Sequence, residues 1–311
     1  MVEIQIHKHG FKRKTIIQNI EAKMQAWIKT LPESMRESVK NDYIVTGGAI
    51  ASMLLGDLPN DYDLYFKTPE MGQIVAQHYL DTLAQRDQTD NDRVSRIEAV
   101  AESDRVIIMI KSAGVLEENT NINNYQYFEN QDPKEVAEYF KQWQLNKPKR
   151  DGEAETFKPA FISSNAITLH DGIQLIMRFC GDSNKIHDNF DYVHCTNWYT
   201  HKDGLNLNQP ALEAILAREL KYVGSKYPVC SIFRMRKFIQ RGWTITAGEM
   251  FKMAYDVSKL DLDDYDTLRD QLVGVDAAYF GEILSILRKH EGNLDRTYLF
   301  EIINRVFDES E

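Results

Sequence analysis

The sequence predicts an α+β fold: a mixed sheet flanked by helices, followed by an all-helical C-terminal domain. Three observations predict it. Before about residue 205, short β-rich runs alternate with amphipathic helices; over residues 206–311 the helical period stands almost alone; and a glycine pair joins a strand to a helix just ahead of a period-two strand bearing Asp61 and Asp63. The expected division is a domain over residues 1–205, with a polar insertion at about 113–159, and a helical domain over 206–311.

Residues 13–30 read as a helix, because Ile16, Ile17, Ile20, Met24, Trp27 and Ile28 recur at helical spacing on one broad face. Residues 43–46 are a short β-rich run ending in Gly47 and Gly48, and residues 49–55 are strong helix formers stopped by Gly56. Asp57, Leu58, Pro59 and Asn60 make a turn before residues 61–66, whose alternation reads as a strand. Thr68 and Pro69 cap and open the next helix, with Val75, Tyr79, Leu80 and Leu83 as its buried stripe. Residues 96–100 and 105–111 read as a hairpin that extends the sheet. Within the insertion, Asp132 and Glu135 form a capping box ahead of Val136, Phe140 and Trp143. Strands are expected at 166–169 and 173–179, joined by a turn at His170, Asp171 and Gly172, and again at 192–199. Helices follow at 210–223 and, after a capping box at Thr246 and Glu249, over a segment that buries Met250, Phe251, Ala254 and Val257. Residues 266–273, 277–290 and 294–308 complete an acidic helical tail.

The segment 44–66 carries the chemistry. Glycine lets a backbone approach a ligand closely, and the exposed N–H groups of a following helix favour phosphate. Strand alternation puts Asp61 and Asp63 on one face, with Tyr62 and Leu64 on the other. Carboxylates about 6 to 7 Å apart along one strand repel unless a cation sits between them, and hard oxygen donors suit Mg²⁺ or Mn²⁺. The bland alternatives are an ordinary glycine turn and an exposed strand end. The ordered succession of strand, Gly-Gly, helix, turn and Asp-x-Asp strand favours the functional reading.

This segment resembles the N-terminal signature of the DNA polymerase beta-type nucleotidyltransferase superfamily, and within it the branch of tRNA CCA-adding enzymes and bacterial poly(A) polymerases. Gly47 and Gly48 match its glycine pair, Leu54, Leu55 and Gly56 its helix end, and Asp61 and Asp63 its metal-binding aspartates. The resemblance implies a palm-like sheet and metal-dependent transfer of NMP from an NTP, ATP among them, to an acceptor hydroxyl, first of all an RNA or tRNA 3′ end. Other branches imply a protein or small-molecule acceptor, or a degenerate binding protein. The resemblance further implies Mg²⁺ or Mn²⁺ on Asp61, Asp63 and a third carboxylate from a neighbouring strand, for which Asp191 is the candidate, and nucleotide contacts from Gly47, Gly48, Arg234 and Lys237. Three departures stand out. Ala51 and Ser52 replace the branch's Arg-Asp pair, Asn189 and Phe190 replace the two arginines ahead of Asp191, and Tyr227, Pro228 and Ser231 stand where the base-selecting residues belong. The run from Phe190 to Cys195 is also similar to nucleotidyltransferase-like proteins of tailed bacteriophages, which implies a phage-encoded member.

Charge points to a local nucleic-acid surface. The chain carries a net charge of −10, which argues against broad nonspecific binding to a polyanion. Residues 221–241 nevertheless hold Lys221, Lys226, Arg234, Arg236, Lys237 and Arg241 and no acidic residue, with Tyr222, Tyr227, Phe233 and Phe238 interleaved. That segment is read either as an RNA-tracking face or as a helix with a solvated basic side. Cys180, Cys195 and Cys230 form no CxxC pattern and are read as buried thiols of a reducing compartment. His187 and His194 lack zinc spacing and are read as structural. No apolar run suits a membrane span, so the expected location is cytoplasmic, the host cytoplasm for a phage-encoded chain.

Overall fold

The computed structural model describes residues 9–86, 97–111, 125–127, 157–162, 165–264, 267, 268, 271 and 300. The architecture is α+β with a mixed central sheet. Helix α1 (Arg13–Thr30) and α2 (Glu33–Asp42) lead into β1 (Tyr43–Thr46), α3 (Gly48–Leu54), β2 (Tyr62–Phe66) and α4 (Pro69–Arg86). Strands β3 (Ile97–Ala101), β4 (Val106–Lys111), β5 (Tyr125–Tyr127), β6 (Pro159–Ile162), β7 (Ala166–Leu169) and β8 (Ile173–Cys180) follow, then α5 (Ser183–His187), β9 (Trp198–Thr200) and β10 (Gly204–Asn206). The chain goes on through α6 (Gln209–Ala217), β11 (Glu219–Leu220), α7 (Pro228–Gln240), β12 (Thr244–Ile245) and α8 (Ala247–Val257).

Seven strands form the main sheet in the order β10-β9-β1-β2-β8-β7-β6, with β2 and β8 parallel and the other neighbours antiparallel. The register explains which residues face where. One rung runs Leu205, Tyr199, Val45, Leu64, Leu175, Ile167 and Ile162 across the whole sheet, and every member is at most 1% exposed. Side chains alternate along a strand, so the next rung faces the other way. It reads Asn206, Trp198, Thr46, Asp63, Gln174 and Thr168. The alternating pattern thus builds an apolar face for the helices and a largely polar face for chemistry.

The apolar face packs on α1, α2 and α4, with Ile16, Ile20, Met24, Trp27, Val75 and Tyr79 among the buried partners. Trp27 donates its indole N–H to the Tyr79 hydroxyl at 2.8 Å inside this core. Replacing Trp27 by Ala is expected to lower the unfolding free energy by about 3–5 kcal/mol, read as a shifted midpoint in urea denaturation. Trp27→Phe should cost less, because it keeps most of the ring volume.

Several expectations need correction. Strands β3 and β4 do pair, but with β5 they form a separate three-stranded sheet and do not extend the main one. The run 192–199 is not one strand: Val193–Cys195 is a 3-10 turn and only Trp198 and Tyr199 of that run enter β9. Helix α6 ends at Ala217 rather than 223, because Arg218 takes a left-handed conformation (φ 48°) and turns the chain into β11, which pairs in parallel with β12. On α8 half of the expected capping box forms: the Thr246 side chain accepts from the Glu249 N–H, while the Glu249 carboxylate accepts from the Tyr222 N–H and from Lys252. The buried face, however, is Met253, packed with Tyr192, Tyr222 and Trp243, while Phe251 is 73% exposed. The helix expected after Asp132 and that at 277–290 lie outside the described residues, as does all of 294–308 except Phe300, which is helical and exposed.

Candidate functional site

The polar rung brings the sequence motif together. Thr46, the last residue of β1, stands directly opposite Asp63 on β2, and Gln174 on β8 flanks Asp63 from the other side. Thr46 is fully buried. Its hydroxyl lies 2.9 Å from the Asn197 carbonyl and 2.9 Å from His187 Nε2. A single hydroxyl proton donated to Asn197 leaves the His187 ring N–H to donate to the Thr46 oxygen. Burial pushes the His187 pKa down to about 4, so the ring is neutral at ordinary pH and suited to that pairing.

Gly47 follows with φ 98°, a conformation L side chains avoid. A Cβ at this position would meet Asp63 Oδ2 at 2.5 Å. The glycine therefore allows the Asp63 carboxylate to lie flat against the strand-to-helix turn. Its N–H donates to the Cys195 carbonyl at 3.1 Å, so this amide is engaged within the protein, in contrast to the expected phosphate contact. Gly48 opens α3 and differs: a Cβ there would meet nothing within 4 Å. A side chain at position 48 would thus have room among the described residues.

Asp61 stands one residue ahead of β2 and is exposed. Its backbone is fixed by the β7–β8 turn: Tyr62 donates its N–H to the Gly172 carbonyl, and Gly172 leaves no room for a Cβ against the Asn60 carbonyl. The Asp-x-Asp pair therefore has one half-buried carboxylate at the turn and one at the solvent edge.

Asp191 lies apart from the strand beside β2 on which a third carboxylate was expected. It sits between α5 and the Val193–Cys195 turn, is 9% exposed, and accepts a 2.7 Å ion pair from Arg234 on α7. The position on β8 next to Asp63 belongs to Gln174. Burial pushes the Cys195 thiol and the Tyr65 phenol above their ordinary values, and Asp63 and Asp191 push both further. Both carboxylates thus lie within electrostatic reach of the same two side chains. Among the described residues no group of three or more His, Cys, Asp or Glu side chains gathers to hold a metal ion. By donor chemistry Asp61 and Asp63 fit a hard divalent cation, whereas Asp191, neutralised by Arg234, does not fit as a third ligand in this arrangement.

Lys237 lies one turn beyond Arg234 on the same side of α7. The aromatic residues of this segment serve mainly as core. Tyr222 is 3% exposed and donates its hydroxyl to Asp256, and Phe238 packs on Tyr192, His194 and Trp243. Tyr227 alone of these three reaches the polar side, under Arg178. Thr46, Gln174 and Arg178 carry no sequence signal of their own; only the strand register and the α7 contact single them out.

His194 is 1% exposed, boxed by Tyr192, Phe238 and Trp243, and neither ring nitrogen has a hydrogen-bond partner among the described residues. Burial pushes its pKa down to about 4 against a partial upward pull from Asp191. The unfolded chain binds this proton near pH 6.5 and the folded chain does not, so stability is present above pH 6.5 and lost as pH falls toward 4. His194 alone is expected to cost on the order of 2 kcal/mol at pH 5 relative to pH 8. His194→Phe should flatten that part of the acid limb, followed by thermal denaturation across pH 5 to 8.

Comparison with known proteins places this site in context. Over 140 residues the chain is 24% identical to Gabija anti-defense 2 of Bacillus phage SPbetaL7, a match covering 44% of this chain and 35% of that protein. Two solved structures are similar at low identity. The Bacillus stearothermophilus CCA-adding enzyme in complex with CTP is 12% identical, with a TM-score of 0.37, covering 86% of this chain and 51% of that one. The Thermotoga maritima CCA-adding enzyme complexed with tRNA is 12% identical, with a TM-score of 0.42, covering 97% and 57%. The matches span about a third of the curated relative's length and about half that of the two enzymes. Among the described residues no helix is long and apolar enough to cross a membrane. Residues 18–218, which hold the glycine pair, the strand aspartates and Asp191, match the family model described as Gabija anti-defense 2 family protein, and the chain belongs to that family.

Proposed function

We propose that this protein is a divalent-cation-dependent nucleotidyltransferase that moves NMP from an NTP to an acceptor hydroxyl, foremost an RNA or tRNA 3′ end, and that this transfer serves the family's anti-defense role. The observation that carries the reading is the Asp63 carboxylate seated against Gly47, in the middle of the polar rung and at the turn that enters α3.

In this reading Asp61 and Asp63 hold Mg²⁺ or Mn²⁺. A cation held by these two carboxylates would supply a lowered pKa for the attacking hydroxyl and charge compensation for the departing pyrophosphate. Gly47 and Gly48 leave room for the triphosphate against the α3 turn, and Lys237 adds positive charge from α7. The acceptor oxygen forms its bond to the α-phosphorus as the bond to pyrophosphate breaks, and the hydroxyl proton passes to solvent. Thr46, tied to Asn197 and His187, fixes the end of β1 and so the position of Gly47 relative to Asp63. Alignment and charge compensation supply most of the rate in such reactions.

A second reading, a binding protein without transfer activity, is favoured by the Asp191–Arg234 pair and by Gln174 in place of a carboxylate on β8. Incubating the full chain with Mn²⁺, each α-³²P-labelled NTP, total bacterial RNA and bacterial protein separates the readings. Label in RNA supports the first choice, and label in protein or a small product moves the acceptor. No label under any condition, with the protein folded, selects the binding reading.

A further inference from the structure

The pairing of β2 with β8 contains an irregularity that the nucleotidyltransferase reading leaves unused. Registers run Asp63 with Gln174 and Leu64 with Leu175, then jump to Phe66 with Cys180, so β8 spends more residues than β2 over the same span. Such bulges bend a strand and re-aim its side chains, often beside functional sites. Here the re-aimed residues are Arg178 and Phe179. Phe179 packs against the cluster of Ile44, Tyr65 and Ile186 on the same sheet face as Asp63.

Arg178 places its guanidinium 3.7 Å from the centre of the Tyr227 ring, and Tyr227 is the N-cap residue of α7. Arg178 and Lys226 also approach the Phe179 ring, at 5.9 and 5.7 Å. Two cations and two aromatic rings thus interleave where the sheet meets α7. A guanidinium held over a ring face keeps its N–H donors available to other partners. Neither the Arg178 nor the Lys226 side chain makes an ion pair or hydrogen bond among the described residues.

A purely structural clasp between strand and helix would account for the Tyr227 stack. It does not account for gathering a second cation with no carboxylate paired to either among the described residues, in a chain of net charge −10. Arg234, farther along α7, is the contrast: where the fold holds a cation for structure, it supplies Asp191. Cations interleaved with aromatic faces are the means by which proteins track single-stranded nucleic acid, phosphate by charge and base by stacking. Gln174 and Arg178 are four residues apart on β8, at most about 13 Å along the strand and less across the bulge, so the cluster shares a strand with the partner of Asp63.

We propose that Arg178, Lys226 and Tyr227 form a phosphodiester-binding platform for a single-stranded RNA acceptor. This rests on the reading of the site as a nucleotidyltransferase with a nucleic-acid acceptor, and it names the residues that hold that acceptor. The test is fluorescence anisotropy of a 5′-fluorescein oligoribonucleotide with the full chain, without divalent cation, over a range of salt. Arg178→Gln with Lys226→Gln is expected to weaken binding at least tenfold and to flatten the salt slope by about 1.4, as two lost phosphate contacts require. Tyr227→Leu should weaken binding with the slope kept, and Arg178→Lys, which retains the charge, guards against a fold defect in the glutamine variant. A parallel arm measures ATP binding by equilibrium dialysis, where the platform variants should match the wild type. Absence of RNA binding by the wild type, unchanged RNA affinity in all variants, or an equal loss for ATP would overturn the platform. Variants that behave as stated in a chain that labels no RNA would overturn the transfer reading while leaving the platform in place.

Discussion

The double variant Asp61→Ala, Asp63→Ala should lose nucleotide incorporation by about three orders of magnitude or more, since phosphoryl transfer rests on aligned charge that little else can supply. Its thermal midpoint should stay close to that of the wild type. Asp61 is exposed and outside the sheet ladder. Asp63 is half-buried on the polar rung, while the packing of β2 is carried by Tyr62, Leu64 and Phe66 on its other face. Asp63→Asn refines the point, because it keeps the shape beside Gly47 and removes only the charge. Activity measured with labelled NTP, alongside circular dichroism melting, separates lost chemistry from lost fold. Incorporation at the wild-type rate in a folded double variant would remove these carboxylates from the reaction.

The second large effect is expected at Gly47. Substitution by Ala forces a Cβ to within 2.5 Å of Asp63 Oδ2 and places it on a backbone with φ 98°. The strain costs about 1–3 kcal/mol, and relief by moving the carboxylate disrupts the site. Gly47→Ala should therefore lower both the thermal midpoint and nucleotide incorporation, the latter by at least tenfold. Gly48→Ala is the control. Nothing lies within 4 Å of its Cβ, so its thermal midpoint should hold. Equal stability losses at the two glycines would show that the Gly47–Asp63 approach is not what distinguishes them.

Much of the site was legible in residues 44–66 because its logic is local. A glycine that follows a strand and a pair of alternate aspartates each announce themselves in one chain segment, and the antiparallel return from β1 to β2 brings them together. The third carboxylate was not legible in the same way. Asp191 belongs to a loop whose position is decided by packing of Tyr192 and His194 against α7 and Trp243, and no local pattern foretells that Arg234 claims it. Gln174 becomes interesting only through its register with Asp63, a long-range fact.

The fold shows the same division. Amphipathic spacing located α1 and α4 because one face of each is plainly apolar. Spacing did not settle α8, whose apolar residues surround the helix, so tertiary packing chose Met253 over Met250 and Phe251. The β3–β4 hairpin was visible in its apolar run, but which sheet it joins depends on partners distant in sequence. In the basic segment, Tyr222 and Phe238 resemble stacking residues by composition and are core residues by position.

A divalent cation held by the Asp61–Asp63 pair beside Gly47 is the centre of the proposed chemistry. Electron paramagnetic resonance titration of Mn²⁺ into the full chain, with and without a non-hydrolysable ATP analogue, tests this directly. Bound Mn²⁺ that tightens with the nucleotide and disappears in the Asp61→Ala, Asp63→Ala variant is the expected result. Identical Mn²⁺ binding by the wild type and that variant, or none by a folded wild type even with nucleotide present, would contradict it.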